Sequence, residues 1–146
     1  MIPVALIITL AEGALPTPKS ILLDVQFRNV SSDPLRILKS FENPDTLPIW
    51  FELQMIRRDG TPVMGIRGGG KINLRGNLEY VTLAPDETFS LKIDVARFVV
   101  DLQPQSYQIT LTYRNQYGQY CFKGEVTSKP LIVNVERVER EAIGRR

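Results

Sequence analysis

The sequence predicts an all-β chain, an immunoglobulin-like antiparallel β-sandwich with Greek-key connections. Three observations predict it. Apolar and polar residues alternate in short runs, most cleanly at Leu23, Val25 and Phe27 and again at Phe89, Leu91, Ile93 and Val95, the period of strands with one buried face. Clusters of Gly, Pro, Asn, Asp and Ser separate the runs at near-regular spacing, as turns do. No long helical period lies between them, which argues against a βαβ architecture and leaves packed antiparallel sheets.

Taken in order, residues 2–10 form a β-rich run that ends at Glu12-Gly13 and a Pro16-Thr17-Pro18 turn. Residues 20–29 alternate as a half-buried strand, broken by Ser31-Ser32-Asp33-Pro34, because proline cannot donate to a ladder. Residues 35–38 are a short apolar piece and 41–48 a loop. Residues 49–57 form the next strand, whose alternation puts Trp50 and Phe51 on opposite faces, one in the core and the other partly exposed. Asp59-Gly60 is a hairpin turn. Residues 65–70 hold four glycines and Arg67, too little side chain for a core strand. Residues 80–83 are a strand, Ala84-Pro85-Asp86-Glu87 a turn, 89–95 a strand, and 96–102 one helical turn. Strands over 107–113, 119–125 and 131–138 complete a set of eight or nine. Residues 1–138 form one domain and 139–146 a charged tail.

The length of 146 residues suits one domain with a sizeable core. The net charge of +2 is scattered, unlike the concentrated positive face of a nucleic-acid binder. The apolar run at residues 4–10 is too short to span a bilayer and lacks a basic segment before it; it reads as a strand, with a secretion signal as the minor alternative. The single cysteine, Cys121, forbids an internal disulfide, which favours a reducing cytoplasm over secretion.

The chain contains no histidine. That removes the commonest general base and metal ligand and excludes Ser-His-Asp and Cys-His catalysis. No cofactor and no metal site are expected; Asp24, Asp33, Asp45 and Asp59 are not clustered in sequence. Cys121 is expected in a strand as a small packing residue. Gly65-Ile66-Arg67-Gly68-Gly69-Gly70-Lys71 begins like a phosphate loop, but Ile72 replaces the required hydroxyl residue and no helix start follows. Asn29-Val30-Ser31 fits the glycosylation pattern and reads better as a polar strand end. Tyr107, at the start of a late strand, is placed to hydrogen-bond back across a sandwich corner, with apolar Ile109 where antibody domains carry a disulfide cysteine.

One succession of residues carries a family resemblance. Asn29, Asp33-Pro34 and Leu38-Lys39 are followed by Phe51, then Arg58-Asp59-Gly60-Thr61-Pro62-Val63. Tyr80-Val81-Thr82-Leu83-Ala84-Pro85-Asp86-Glu87, the 89–98 alternation and Ser106-Tyr107-Gln108-Ile109-Thr110-Leu111-Thr112-Tyr113 complete it. Over residues 4–115 this resembles the immunoglobulin-like domain that precedes the catalytic domain of deuterolysin-type (aspzincin) metalloendopeptidases. Asp86 stands where that family has glycine, Gln105-Ser106 replaces its glycine before Tyr107, and its zinc-binding helix with two histidines is absent. The resemblance therefore implies an accessory module without peptidase activity.

The expected function is non-catalytic binding of another protein, with a peptidase as the candidate partner and neither nucleic acid nor membrane as partner. Sheet faces or an unpaired sheet edge would serve, and so would loops. The contact residues singled out are Asn43, Arg67, Tyr117 and Tyr120, since loops carry function on rigid scaffolds and Tyr and Arg are enriched in hot spots. One alternative is an inhibitor of cysteine peptidases. Its three loops would be Asn43-Pro44-Asp45-Thr46, Arg67-Gly68-Gly69-Gly70 and Arg114-Asn115-Gln116-Tyr117-Gly118. Another is a carbohydrate-binding module that stacks sugars on Trp50, Tyr117 and Tyr120. Sequence leaves the oligomeric state open.

Overall fold

A computed structural model of the chain describes residues 2–40, 46–63, 66, 78–99 and 102–137. Its strands are β1 (Val4–Leu10), β2 (Leu22–Asn29), β3 (Leu35–Leu38), β4 (Phe51–Arg57), β5 (Tyr80–Leu83), β6 (Thr88–Asp94), β7 (Ser106–Asn115), β8 (Gly124–Thr127) and β9 (Leu131–Asn134). One sheet has the order β1-β2-β6; in the other, β7 pairs with β4, β8 and β9. All pairings are antiparallel, and the two sheets pack face to face as a sandwich.

The alternation read from the sequence is the cause of this packing. In β2, Leu23, Val25 and Phe27 are buried, while Asp24, Gln26 and Arg28 stand on the other face, as the period of a strand requires. In β7, Tyr107, Ile109, Leu111 and Tyr113 do the same from the second sheet. Phe27 joins the layers: its ring meets Tyr113 edge-on at 4.9 Å and Phe51 at 6.2 Å.

The short β3–β5 ribbon ties the two sheets together. Asn29 Nδ2, at the end of β2, donates to the Leu83 carbonyl of β5 at 2.9 Å. Tyr113 Oη, from β7, donates to the Leu38 carbonyl of β3 at 3.0 Å. Each bond satisfies a polar group that burial would otherwise penalise.

The turns follow local chemistry. Arg57 N–H donates to the Thr61 carbonyl and Gly60 N–H to the Arg57 carbonyl, with Gly60 at φ +90°, as in a three-residue hairpin loop with glycine in the left-handed position. Asp59 caps that loop by accepting from Thr61 N–H and hydroxyl, which holds its carboxyl below its usual pKa. Asp86 has φ +68°; Asp tolerates this region better than most residues, and Arg28 holds its carboxylate at 3.0 Å. Asp94 closes β6 by accepting from Ser20, Ile21 and Ala96, and a 3₁₀ turn over Val95–Arg97 follows.

Tyr107 forms the expected corner. Its hydroxyl accepts from the Gln103 backbone N–H at 2.9 Å, and Ile109 two residues on is fully buried.

Five expectations need correction. Trp50 does not open a strand: Leu47–Trp50 is a one-turn helix, α1, with proline in its first turn. The helical step rotates Trp50 inward, so Trp50 and Phe51 are both buried, at 3% and 1% exposure. Residues 119–123 are a loop, and β8 starts only at Gly124. Cys121 therefore lies in that loop, half-buried. The last strand ends at Asn134. Residues 139–146, the expected tail, lie outside the described residues.

β8 and β9 form one line along β7 interrupted by a bulge. Ser128 N–H donates to the Leu111 carbonyl and Leu131 pairs with Ile109, so Lys129 and Pro130 stand opposite the single residue Thr110. Ser128 Oγ accepts from Leu111 N–H at 3.0 Å and satisfies the ladder there. Among the described residues, no helix is long and apolar enough to cross a membrane.

Candidate binding surface

The loop over residues 116–123, between β7 and β8, is organised by Asn115. This residue ends β7 with 1% exposure. Its Nδ2 donates to the carbonyls of Tyr117 and Phe122, both at 3.0 Å, and its Oδ1 accepts from Tyr117 N–H at 3.0 Å. One buried amide thus pins the start and the end of the loop. Asn29 does the same at the end of β2, donating to Asp33 and Leu83 and accepting from Ser31. That use leaves the Asn29 amide nitrogen fully buried and engaged, so the folded chain offers no glycosylation acceptor there.

β3 and β5 brace the same loop. Phe122 N–H donates to the Arg36 carbonyl at 2.8 Å, and Gln119 N–H donates to Tyr80 Oη at 3.3 Å. The Arg36 guanidinium lies 3.6 Å over the Tyr80 ring, a cation–π contact that fixes the phenol. Gly118 has φ +88°, and a Cβ there would come within 2.7 Å of Tyr80 Oη, so only glycine fits. Cys121 Sγ donates to the Tyr117 carbonyl at 3.3 Å, a structural use of the thiol.

On this frame Tyr120 projects with 88% exposure at φ +55°, a conformation rare for bulky residues and informative where it occurs. Tyr117 is 39% exposed and rests edge-on against Trp50, ring centres 6.1 Å apart. Two of the expected contact residues, Tyr117 and Tyr120, therefore stand exposed on this one loop; Asn43 and Arg67 lie outside the described residues. Trp50 lies beneath Tyr117 and offers no face to a sugar. Of the three loops of the inhibitor reading, 43–45 and 67–70 fall outside the described residues. In the third, Arg114 turns to the sheet face, where it pairs with Glu52 and with Glu125.

Sequence reading named Asn115 only within the third loop of the inhibitor reading and missed its bracing role, along with Tyr80 and Arg36. The one local sign was an Asn at a strand end with Tyr117-Gly118 close behind; the contributions of β3 and β5 have no local signature.

A second feature is the side of the sandwich where β1 approaches β8. A groove of about 810 Å³ lies there, lined by Leu6 and Ile8 on one wall and by Glu125, Val126, Lys129 and Pro130 on the other. Among the described residues, no group of three or more Cys, Asp or Glu is placed to hold a metal ion. In comparisons with known proteins, the chain matches no family model and no curated sequence.

Proposed function

We propose that this chain is a non-catalytic protein-binding module that presents the 117–120 loop to its partner, with Tyr120 as the anchoring side chain. The observation that carries the reading is the combination at Tyr120 of 88% exposure and a left-handed backbone on a braced loop. An aromatic residue on a loop backbone braced before binding has less backbone freedom to lose on contact, which favours affinity, and tyrosine is among the commonest hot-spot residues. The absence of histidine and the engagement of the Cys121 thiol support a role without chemistry. The resemblance to the deuterolysin accessory domain makes a peptidase the first partner to test.

The experiment is a binding titration against a deuterolysin-type catalytic domain and, in parallel, a papain-like protease, followed by affinity capture from candidate host extracts. Wild type, Tyr120→Ser and the sheet-face control Gln26→Ala are compared. Saturable binding lost in Tyr120→Ser and kept in Gln26→Ala supports the reading. Equal recovery by all three chains, or no protein bound by wild type in any arm, overturns it.

A further inference from the structure

We infer that β1 is a self-pairing edge: two copies of this chain join through antiparallel β1 strands with Ile7 on the two-fold axis. The surface is separate from the Tyr120 loop and does not depend on the role proposed for it.

Backbone polarity comes first. The Pro3 carbonyl accepts from Val30 N–H at 2.8 Å and Ala11 N–H donates to the Leu22 carbonyl at 3.0 Å. These bonds bracket β1, whose register with β2 is unbroken from Val4↔Asn29 to Leu10↔Leu23. In an antiparallel pair, alternate residues bond to the partner. Ala5, Ile7 and Thr9 therefore spend their backbone groups on β2, while the N–H and C=O of Val4, Leu6, Ile8 and Leu10 point the other way. No strand among the described residues pairs with that side.

Composition comes second. Proteins blunt open edges with charge, proline or a bulge. β4 and β6 carry Glu52, Arg57, Lys92 and Asp94, and the β8–β9 edge has Glu125, Lys129 and Pro130 at or beside its bulge. β1 reads Val4-Ala5-Leu6-Ile7-Ile8-Thr9-Leu10, with no charge, proline or glycine across the strand. Such an edge is a template for another strand.

Symmetry selects a second copy. With Ile7 on the axis, Val4 lies opposite Leu10 of the other copy and Leu6 opposite Ile8. These are the residues whose backbone groups are directed outward, so every free donor meets a free acceptor. This register pairs the whole strand and supplies roughly eight inter-chain hydrogen bonds, two for each bonded pair. Ile7 faces its own counterpart on the outer face, and Ala5 lies opposite Thr9, side chains small enough to admit the approach. The neighbouring groove wall carries one acid and one base, Glu125 and Lys129, so a two-fold contact brings no surplus of like charge. One β1 per chain makes the dimer a closed assembly.

The test is sedimentation velocity of the full chain over a concentration series. Wild type is expected to run as a dimer. Ile7→Lys and Ile7→Glu, each with two like charges on the axis, are expected to lose the dimer, and their equimolar mixture to regain it. Ile7→Cys in a Cys121→Ser background is expected to form an inter-chain disulfide, because residues opposite each other at a non-hydrogen-bonded site lie within bridging distance. A wild-type monomer at every concentration overturns the inference. So does a dimer that persists in Ile7→Lys, or one that forms without the Ile7→Cys bridge. The cysteine variant keeps the register testable should either charged chain fail to fold.

Discussion

The ring of Phe27 meets the ring of Tyr113 edge to face, 4.9 Å between centres and 87° between planes. The contact joins the middle strand of one sheet to the middle strand of the other. Both residues are fully buried, and Phe51 completes an aromatic cluster with them. Phe27→Ala opens a cavity at the centre of the sandwich and is expected to cost about 3–5 kcal/mol. Urea unfolding followed by fluorescence measures it; a loss below about 1 kcal/mol would remove this cluster from the centre of the core.

Tyr113 also makes stability depend on alkaline pH. Burial, with a smaller contribution from the charge of ionised Cys121, raises its hydroxyl pKa well above the ordinary 10.0. The unfolded chain releases that proton near pH 10 while the folded chain keeps it, so folding loses stability as pH rises above about 10. In Tyr113→Phe this component is absent, and the Leu38 carbonyl loses its donor at a cost of about 1 kcal/mol. Denaturant unfolding of both chains between pH 8 and 11.5 should show the two stabilities converging as pH rises.

At Tyr120 the proposed binding role and stability oppose each other. A left-handed backbone costs a non-glycine residue about 1–2 kcal/mol, and glycine gives back about 0.5–1 kcal/mol of that in chain entropy. Tyr120→Gly is expected to stabilise the fold by roughly 0.5–1 kcal/mol and to abolish partner binding. Thermal unfolding alongside the binding titration reads both; a destabilised Tyr120→Gly would mean that the side chain has a structural contact.

Asn115 is expected to matter more than its position at the end of a strand suggests. Asn115→Ala removes both donors and the acceptor that pin residues 117 and 122, and leaves buried groups unpaired at about 1–3 kcal/mol. Amide exchange across residues 117–122 should rise far more than across β2. Unchanged protection would place the bracing in Tyr80 and Arg36 alone.

Tyr107→Phe tests the corner. The Gln103 N–H loses its acceptor, and a loss of about 1 kcal/mol is expected in denaturant unfolding, with no change in the loop at residues 116–123.

What the chain itself determined is whatever depends on neighbours in sequence. The alternation in β2, β6 and β7 fixes which side chains enter the core, because successive residues of a strand face opposite ways. Asp59-Gly60 and Ala84-Pro85-Asp86-Glu87 set their turns through local backbone preferences. The missing histidine and the single cysteine remove whole classes of chemistry before any fold is known. Of the candidate binding loop, Tyr117 and Tyr120 were legible as aromatic residues beside a turn. The tertiary structure decided everything that needs a distant partner. Trp50 is buried because α1 turns it onto the core and against Tyr117. Residues 119–123 form a loop because Asn115, Arg36 and Tyr80 supply its hydrogen bonds in place of a ladder. The open edge of β1 exists because β2 takes only one side of its backbone. Local sequence sets the direction of each side chain and the sign of each turn; which backbone groups remain unpaired is settled only when the sheets assemble.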